Sequence, residues 1–175
     1  RMENTAEAQS PPLPFTLTAL QSKCNAALGL SVQATLDIAQ ELYEKKKVIS
    51  YPRSDCEYLA SSQKEQVPGV LSALEPNFPG AVAELRKTGL TLRDSTFDDS
   101  KLSDHYGIIP TAVTAQLSGA ELAVYTIIAQ RYMETVSADM KYMQLKLRLD
   151  ANGVEFRASG RTITAEGWRQ IRTLM

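Results

Sequence analysis

Met143-Gln144-Leu145-Lys146-Leu147-Arg148-Leu149-Asp150-Ala151-Asn152-Gly153-Val154-Glu155-Phe156-Arg157 is the stretch whose reading decides the fold class. Met143, Leu145, Leu147 and Leu149 alternate with Gln144, Lys146, Arg148 and Asp150. A strand turns successive side chains to opposite faces, so this period of two predicts a strand with one buried face. Asn152-Gly153 supplies the pair that most readily takes positive φ, the signature of a type I′ hairpin, and Val154-Glu155-Phe156-Arg157 resumes the alternation on the way back. Upstream the period is helical. Ser118-Gly119-Ala120-Glu121 fits a capping box, and the apolar pattern from Leu122 to about Val136 predicts a helix. The chain therefore reads as helical to about residue 138 and β after it, an α+β protein.

Further upstream the signals are shorter. Residues 1–14 are polar and carry Pro11, Pro12 and Pro14, so they read as an arm or linker. Thr18-Ala19-Leu20-Gln21 fits a capping box that opens a helix closed by Gly29. A second helix runs from Ser31 to about Lys46, with Val32, Leu36, Ala39 and Tyr43 at helical spacing and three lysines at its end. Ser62-Gln63-Lys64-Glu65 is a further capping box, leading into a helix that Pro68 makes short or kinked. Residues 79–88 are a weaker helix candidate and 91–104 a polar loop. No internal repeat is present.

Of the 175 residues, 43% are hydrophobic and 22% charged, a balance that excludes disorder. No apolar run approaches the roughly 20 residues needed to span a bilayer. Two cysteines, Cys24 and Cys56, are too few for a disulfide framework, and with one histidine they are too few for a closed Cys/His zinc site unless carboxylates take part. A reduced, cytoplasmic setting is expected. Net charge is −1, which taken alone argues against a nucleic-acid binder. The average conceals a split. Residues 141–172 hold seven basic and three acidic side chains, a balance of +4, and the remainder sums to −5. Both ends fall within structured-looking pattern, as expected for a piece of something longer.

Val48-Ile49-Ser50-Tyr51-Pro52-Arg53-Ser54-Asp55 is the most unusual segment. Proline disfavours the α region for the residue before it, so Tyr51 is expected to be extended. Residues two apart in an extended chain share a side, and Tyr51 and Arg53 then face one small object. A phosphate suits them, because a guanidinium is a permanently charged fork matched to phosphate oxygens. A tyrosine hydroxyl beside such a cation can accept a phosphoryl group, the cation stabilising both phenolate and developing charge on phosphorus. The plainer alternative is a core tyrosine with Arg53 paired to Asp55.

Four segments in order resemble boxes of the type IA DNA topoisomerases. Pro12-Leu13-Pro14-Phe15-Thr16-Leu17-Thr18-Ala19-Leu20-Gln21 is similar to their P-x-P-F-x-L/T-x-x-L-Q box, and Thr35-Leu36-Asp37-Ile38-Ala39-Gln40-Glu41-Leu42-Tyr43-Glu44 to T-L-x-x-A-Q-x-L-Y-E. Val48 to Asp55 resembles L-I-T-Y-x-R-T-D, and Asp104-His105-Tyr106-Gly107-Ile108-Ile109-Pro110-Thr111 resembles the H-x-A-I-x-P-T/S box. The proline after Tyr51 and the Ile-Ile-Pro-Thr wording resemble the topoisomerase III branch. Departures are mild: Ser50 and Ser54 replace threonine, Cys56 replaces serine, and Tyr106-Gly107 stands where His-Ala is frequent.

The resemblance implies a mostly helical CAP-like (winged-helix-like) domain at 14–138 carrying the tyrosine. Residues 1–13 and 139–175 would be two parts of an antiparallel β arch. It implies that Tyr51 attacks single-stranded DNA to form a 5′-phosphotyrosine, with Arg53 and His105 assisting, and that strands pass and religate without ATP. Gln21, Gln40, Glu44 and Asp55 fall in the same boxes as candidate DNA contacts. Gln21 also reads as a capping side chain, Glu44 as a partner for a lysine of the 45–47 run, and Asp55 as a turn cap. Mg²⁺ is implied for the full-length enzyme, its ligands in a TOPRIM domain outside this chain and none within it. The fragment alone is then expected to be inactive. Partners implied are single-stranded DNA and a helicase, acting on a monomer in the cytoplasm at the nucleoid. Two other classes stay open: a non-catalytic single-stranded DNA-binding module and a scaffold unrelated to DNA.

Overall fold

The computed structural model describes the whole chain, Arg1–Met175. Six helices and one three-stranded antiparallel sheet make it an α+β protein: β1 (Met2–Gln9), α1 (Leu17–Leu28), α2 (Val32–Glu44), α3 (Val67–Leu74), α4 (Pro79–Thr88), α5 (Gly119–Thr135), β2 (Met140–Ala151), β3 (Val154–Ala165) and α6 (Gln170–Leu174). The sheet order is β1-β2-β3. Asn152 and Gly153, at φ 55° and 81°, turn the β2–β3 hairpin in the way the Asn-Gly pair predicts.

The helices surround a core to which every helix contributes, including Leu20 and Cys24, Ala39 and Leu42, Leu71 and Leu74, Val82 and Leu85, Val124 to Met133, and Ile171. Segments without regular structure complete it: Phe15, Val48, Ile49, Leu59, Phe97, Ile108 and Ile109 are all buried there. α5 is its central strut. Arg131 on α5 lies 3.9 Å over the Phe15 ring and donates to the Leu13 carbonyl, and Thr135 donates to the Pro12 carbonyl. The proline-rich arm is thereby fastened to α5.

Several local expectations are corrected. Residues 2–9, read from composition as an arm or linker and from the resemblance as part of a β arch, are a strand, although Glu3, Asn4, Thr5 and Glu7 give no apolar alternation. β1 is held by its ladder to β2, from Met2 opposite Leu147 to Gln9 opposite Met140. Beyond its root, where Met140 is buried, the sheet has no buried face: Leu145, Leu149, Val154 and Phe156 are 39–56% exposed. The alternation records an amphipathic strand, and within this chain nothing lies against its apolar side. Two capping boxes shift by two residues. Thr16, not Thr18, accepts from the Ala19 amide, and Gln63 accepts from the Ala60 amide at the start of a 3₁₀ turn. Pro68 then sits in the first turn of α3, where its missing N–H costs nothing, so the helix is short but not kinked. Ser118 precedes α5 without a side-chain cap.

Residues 167–175, expected to continue the β segment, turn back into helices. The Trp168 amide donates to Ala138 and its indole to Gln9, tying the root of the sheet to the helical body, and Ile171 enters the core. Arg172 pairs at 2.7 Å with Glu134, which is 1% exposed, so removing the arginine would leave a buried carboxylate with only the Gln130 amide as side-chain donor.

Three stretches remote in sequence meet beneath the candidate site. Phe15 bridges Ile108, Ile49 bridges Pro110, and Gly107 donates to the Tyr58 carbonyl. At Gly107 a Cβ would come 2.7 Å from the Pro14 Cβ, closer than two carbons approach without displacement. Glycine in place of the family's frequent alanine thus has a local cause. Gly107→Ala is expected to destabilise the protein by roughly 1–3 kcal/mol, read as a lowered urea midpoint at unchanged slope. An unchanged midpoint would mean that the Pro14 contact yields freely.

Candidate active site

Tyr51 lies at the end of a minimal two-stranded ladder. The Ser50 amide donates to Ile109 at 2.9 Å and the Thr111 amide to Val48 at 2.9 Å. Ser50 is buried, and its hydroxyl donates to the Gly107 carbonyl at 3.0 Å and accepts from the Ile109 amide at 2.9 Å. One hydroxyl therefore clamps the tyrosine segment to the segment that follows His105. Threonine would offer the same hydroxyl, so the Ser50 departure keeps the clamp.

The outcome is a direct aromatic contact. Tyr51 and His105 have ring centroids 4.2 Å apart at 33°, and Tyr43 meets Tyr51 edge-on at 5.6 Å. These rings line a cleft of about 570 Å³ together with Lys47, Ile49, Ser50, Tyr106 and Thr111. From Ser50 onward burial alternates: Ser50, Pro52, Ser54 and Cys56 are buried, Arg53, Asp55 and Glu57 are exposed, and Tyr51 is half-buried. The chain bends at Pro52-Arg53, and Arg53 is exposed beyond it.

Arg53 does not line the cleft and is not paired with Asp55. It is exposed and makes no ion pair or hydrogen bond within the chain. Asp55 instead accepts from Ser103 at 3.0 Å, and the same Ser103 hydroxyl reaches the His105 carbonyl at 3.3 Å. Asp55 thus holds the histidine loop and does not cap a turn. The His105 imidazole has no hydrogen-bond partner within the chain.

The other box residues are engaged away from the cleft. Gln21 is not a cap: its amide donates to the Val32 carbonyl at 3.0 Å, joining α1 to the start of α2. Gln40 donates to Glu44 at 2.7 Å, so Glu44 takes no lysine, and the Gln40 amide oxygen is buried without a partner. Lys45 pairs with Glu41 and Lys46 with Glu121.

Sequence reasoning passed over Lys47. It lines the cleft, its Nζ is 5.9 Å from the Tyr43 centroid, and it makes no ion pair. Its φ is 61°, a left-handed conformation costing a non-glycine residue about 1 kcal/mol or more. Thr111 pins it there by donating to its carbonyl at 2.7 Å. No residue-type signal marks such a site, because lysine has no preference for that region.

Among the seven tyrosines, burial disqualifies two as nucleophiles. Desolvation pushes the Tyr125 phenol up to about 12 and Tyr132 higher still. Tyr58 and Tyr142 sit under Lys101 and Arg161, away from the cleft. Tyr43, Tyr51 and Tyr106 remain, and only Tyr51 carries the histidine on its ring.

A metal implied by the family boxes finds no fit in this chain. No cluster of three or more His, Cys, Asp or Glu residues is placed to hold an ion. Asp98 is spent on Ser100 and Asp99 on Ser61, and these hydrogen bonds lower both carboxyls from their usual range. No helix is long and apolar enough to cross a membrane.

The chain as a whole matches a known family. The sequence model of the DNA topoisomerase family matches residues 1–174, and the chain belongs to that family, within its type IA class. It is 38% identical over 172 residues to DNA topoisomerase 3 of Vibrio cholerae, covering 97% of this chain and 27% of that protein. To DNA topoisomerase 3 of Bacillus subtilis it is 30% identical over 174 residues, covering 97% and 24%. Full-length topoisomerase I from Thermotoga maritima, solved in a monoclinic crystal form, matches with a TM-score of 0.68 at 20% identity. That match covers 100% of this chain and 29% of that one, a likeness of fold. The chain spans about a quarter of the length of the curated relatives it matches.

Proposed function

We propose that this chain carries the strand-cleaving tyrosine of a type IA DNA topoisomerase acting on single-stranded DNA in the cytoplasm. The observation that carries the reading is Tyr51 packed on the unpartnered imidazole of His105 in an open cleft, with the exposed Arg53 two residues further along the chain.

The Tyr51 oxygen attacks a phosphodiester phosphorus. Its proton departs, the P–O3′ bond breaks, and the leaving oxygen takes up a proton as a free 3′ hydroxyl. The 5′ phosphate stays on the tyrosine. Reversal of the same steps reseals the strand, so the phosphodiester energy is conserved and ATP is not needed. Arg53 binds the non-bridging oxygens as charge grows on them. His105 holds the phenol ring by stacking and offers an imidazole nitrogen to a phosphate. Asp55 positions the histidine loop through Ser103, while Gln21, Gln40 and Glu44 serve the packing of α1 and α2. In this reading residues 14–138 form the tyrosine-bearing domain and the sheet belongs to a β arch. Mg²⁺ ligands reside in a TOPRIM domain of the complete enzyme.

The test uses the complete polypeptide and a single-stranded oligonucleotide labelled at one end, stopped with detergent. Label at the 3′ end is expected to remain on the protein and label at the 5′ end to be lost, because the downstream fragment holds the 5′ phosphate. Salt-sensitive binding without retained label would identify a non-catalytic DNA-binding module. Absence of any binding at low salt would point to a scaffold.

A further inference from the structure

We infer that Lys47 is a phosphate contact: its ammonium binds a backbone phosphate of the single strand that Tyr51 attacks. The inference rests on the cleavage reading above and adds to it a residue that neither the sequence boxes nor the Tyr-x-Arg spacing marks. Three consecutive lysines follow α2, and the structure treats them differently. Lys45 is held 2.7 Å from Glu41, and Lys46 contacts Glu121 and the Gln116 carbonyl. Lys47 alone has no acidic partner, and it is the one that lines the cleft with Tyr43, Tyr51 and His105.

Its backbone is equally distinctive. A φ of 61° belongs to a region that glycine enters freely and that burdens a lysine. Lys47 lies in the turn that closes α2, where the Val48 amide donates to Leu42, and its conformation is held further by the Thr111 hydroxyl on the Lys47 carbonyl and the Thr111 amide on the Val48 carbonyl. Those bonds also fix Lys47 to the segment that follows His105. Glycine would satisfy the backbone better, and what lysine adds is a cation on a long stem at the cleft. A strained backbone retained beside an unpaired charge is the pattern of a binding residue. An ammonium acts on phosphate as a point charge without base preference, which suits a strand held for cleavage at varied sequences.

The experiment measures equilibrium binding of a single-stranded oligonucleotide to the complete polypeptide, over a range of salt, in a Tyr51→Phe background that prevents cleavage. Lys47→Gln is expected to weaken binding about tenfold at low salt, as loss of one charge-assisted hydrogen bond. It should also reduce the slope of log K against log salt by about 0.7, one phosphate contact on a single strand. Lys47→Arg should retain most of the affinity. Lys47→Gly should bind as weakly as Lys47→Gln while its melting temperature stays level or rises, since the backbone strain is relieved. Unchanged affinity and slope in Lys47→Gln would overturn the inference. So would affinity that falls only together with melting temperature, the mark of a structural role. The end-label assay on the unmodified enzyme reads the tyrosine separately, so failure of the cleavage reading shows there and not in these slopes.

Discussion

Tyr51→Phe in the complete polypeptide is expected to abolish covalent trapping of DNA, a loss of four orders of magnitude or more in strand cleavage. Single-strand binding should stay within about twofold. The size of the effect follows from the chemistry: phenylalanine has no oxygen to accept the phosphoryl group, and no neighbour stands ready to replace it. Tyr125 and Tyr132 are buried with their phenols pushed up, and Tyr43 and Tyr106 reach the cleft without the His105 ring. The small effect on binding and folding follows from the geometry. A phenylalanine ring keeps the stack on His105 and the edge contact with Tyr43. Persistent label on the Tyr51→Phe protein would mean that another residue is the nucleophile.

The 175-residue chain by itself is expected not to relax negatively supercoiled plasmid in the presence of Mg²⁺, against full relaxation by the complete enzyme. The chain carries a tyrosine, an arginine and a histidine but no acidic cluster suited to a metal. The two adjacent aspartates of its polar loop are committed to Ser100 and Ser61. The chain also spans about a quarter of the length of its curated relatives. Turnover by the isolated chain would show that the division of labour between domains is wrong.

The parts of the fold legible in the sequence are those where one local signal had no competitor. The β2–β3 hairpin follows from strict alternation and Asn152-Gly153, and α5 from a long apolar period. β1 left no mark in the residue pattern, and only the family resemblance placed residues 1–13 in a β arch, because Glu3 to Gln9 is exposed throughout and is held by backbone bonds to a strand far along the chain. The alternation of β2 gave the strand correctly and its burial wrongly, because a pattern shows which side is apolar and not what covers it. The cap of α1 moved from Thr18 to Thr16 because Phe15, bridged to Ile108, and the Leu17–Ser54 hydrogen bond fix where the chain enters the helix.

At the site the same division holds. The segment around Tyr51 was conspicuous for its Pro-Arg context and its family resemblance. Its contact with His105 depends on a buried serine hydroxyl bridging distant segments, which no spacing rule reveals. The net charge of −1 concealed two cations, Lys47 and Arg53, left without acidic partners on either side of the tyrosine.

The most direct measurement is to locate the adduct. The complete polypeptide, trapped on single-stranded DNA, is digested with nuclease and trypsin and its phosphorylated peptides are sequenced by mass spectrometry. Cleavage after Lys47 and Arg53 isolates Val48 to Arg53, which contains one tyrosine. The residual nucleotide is predicted on that peptide, at Tyr51, joined through its 5′ phosphate. A nucleotide on the peptide bearing Tyr43 or on the one bearing Tyr106, or one joined through a 3′ phosphate, would contradict it.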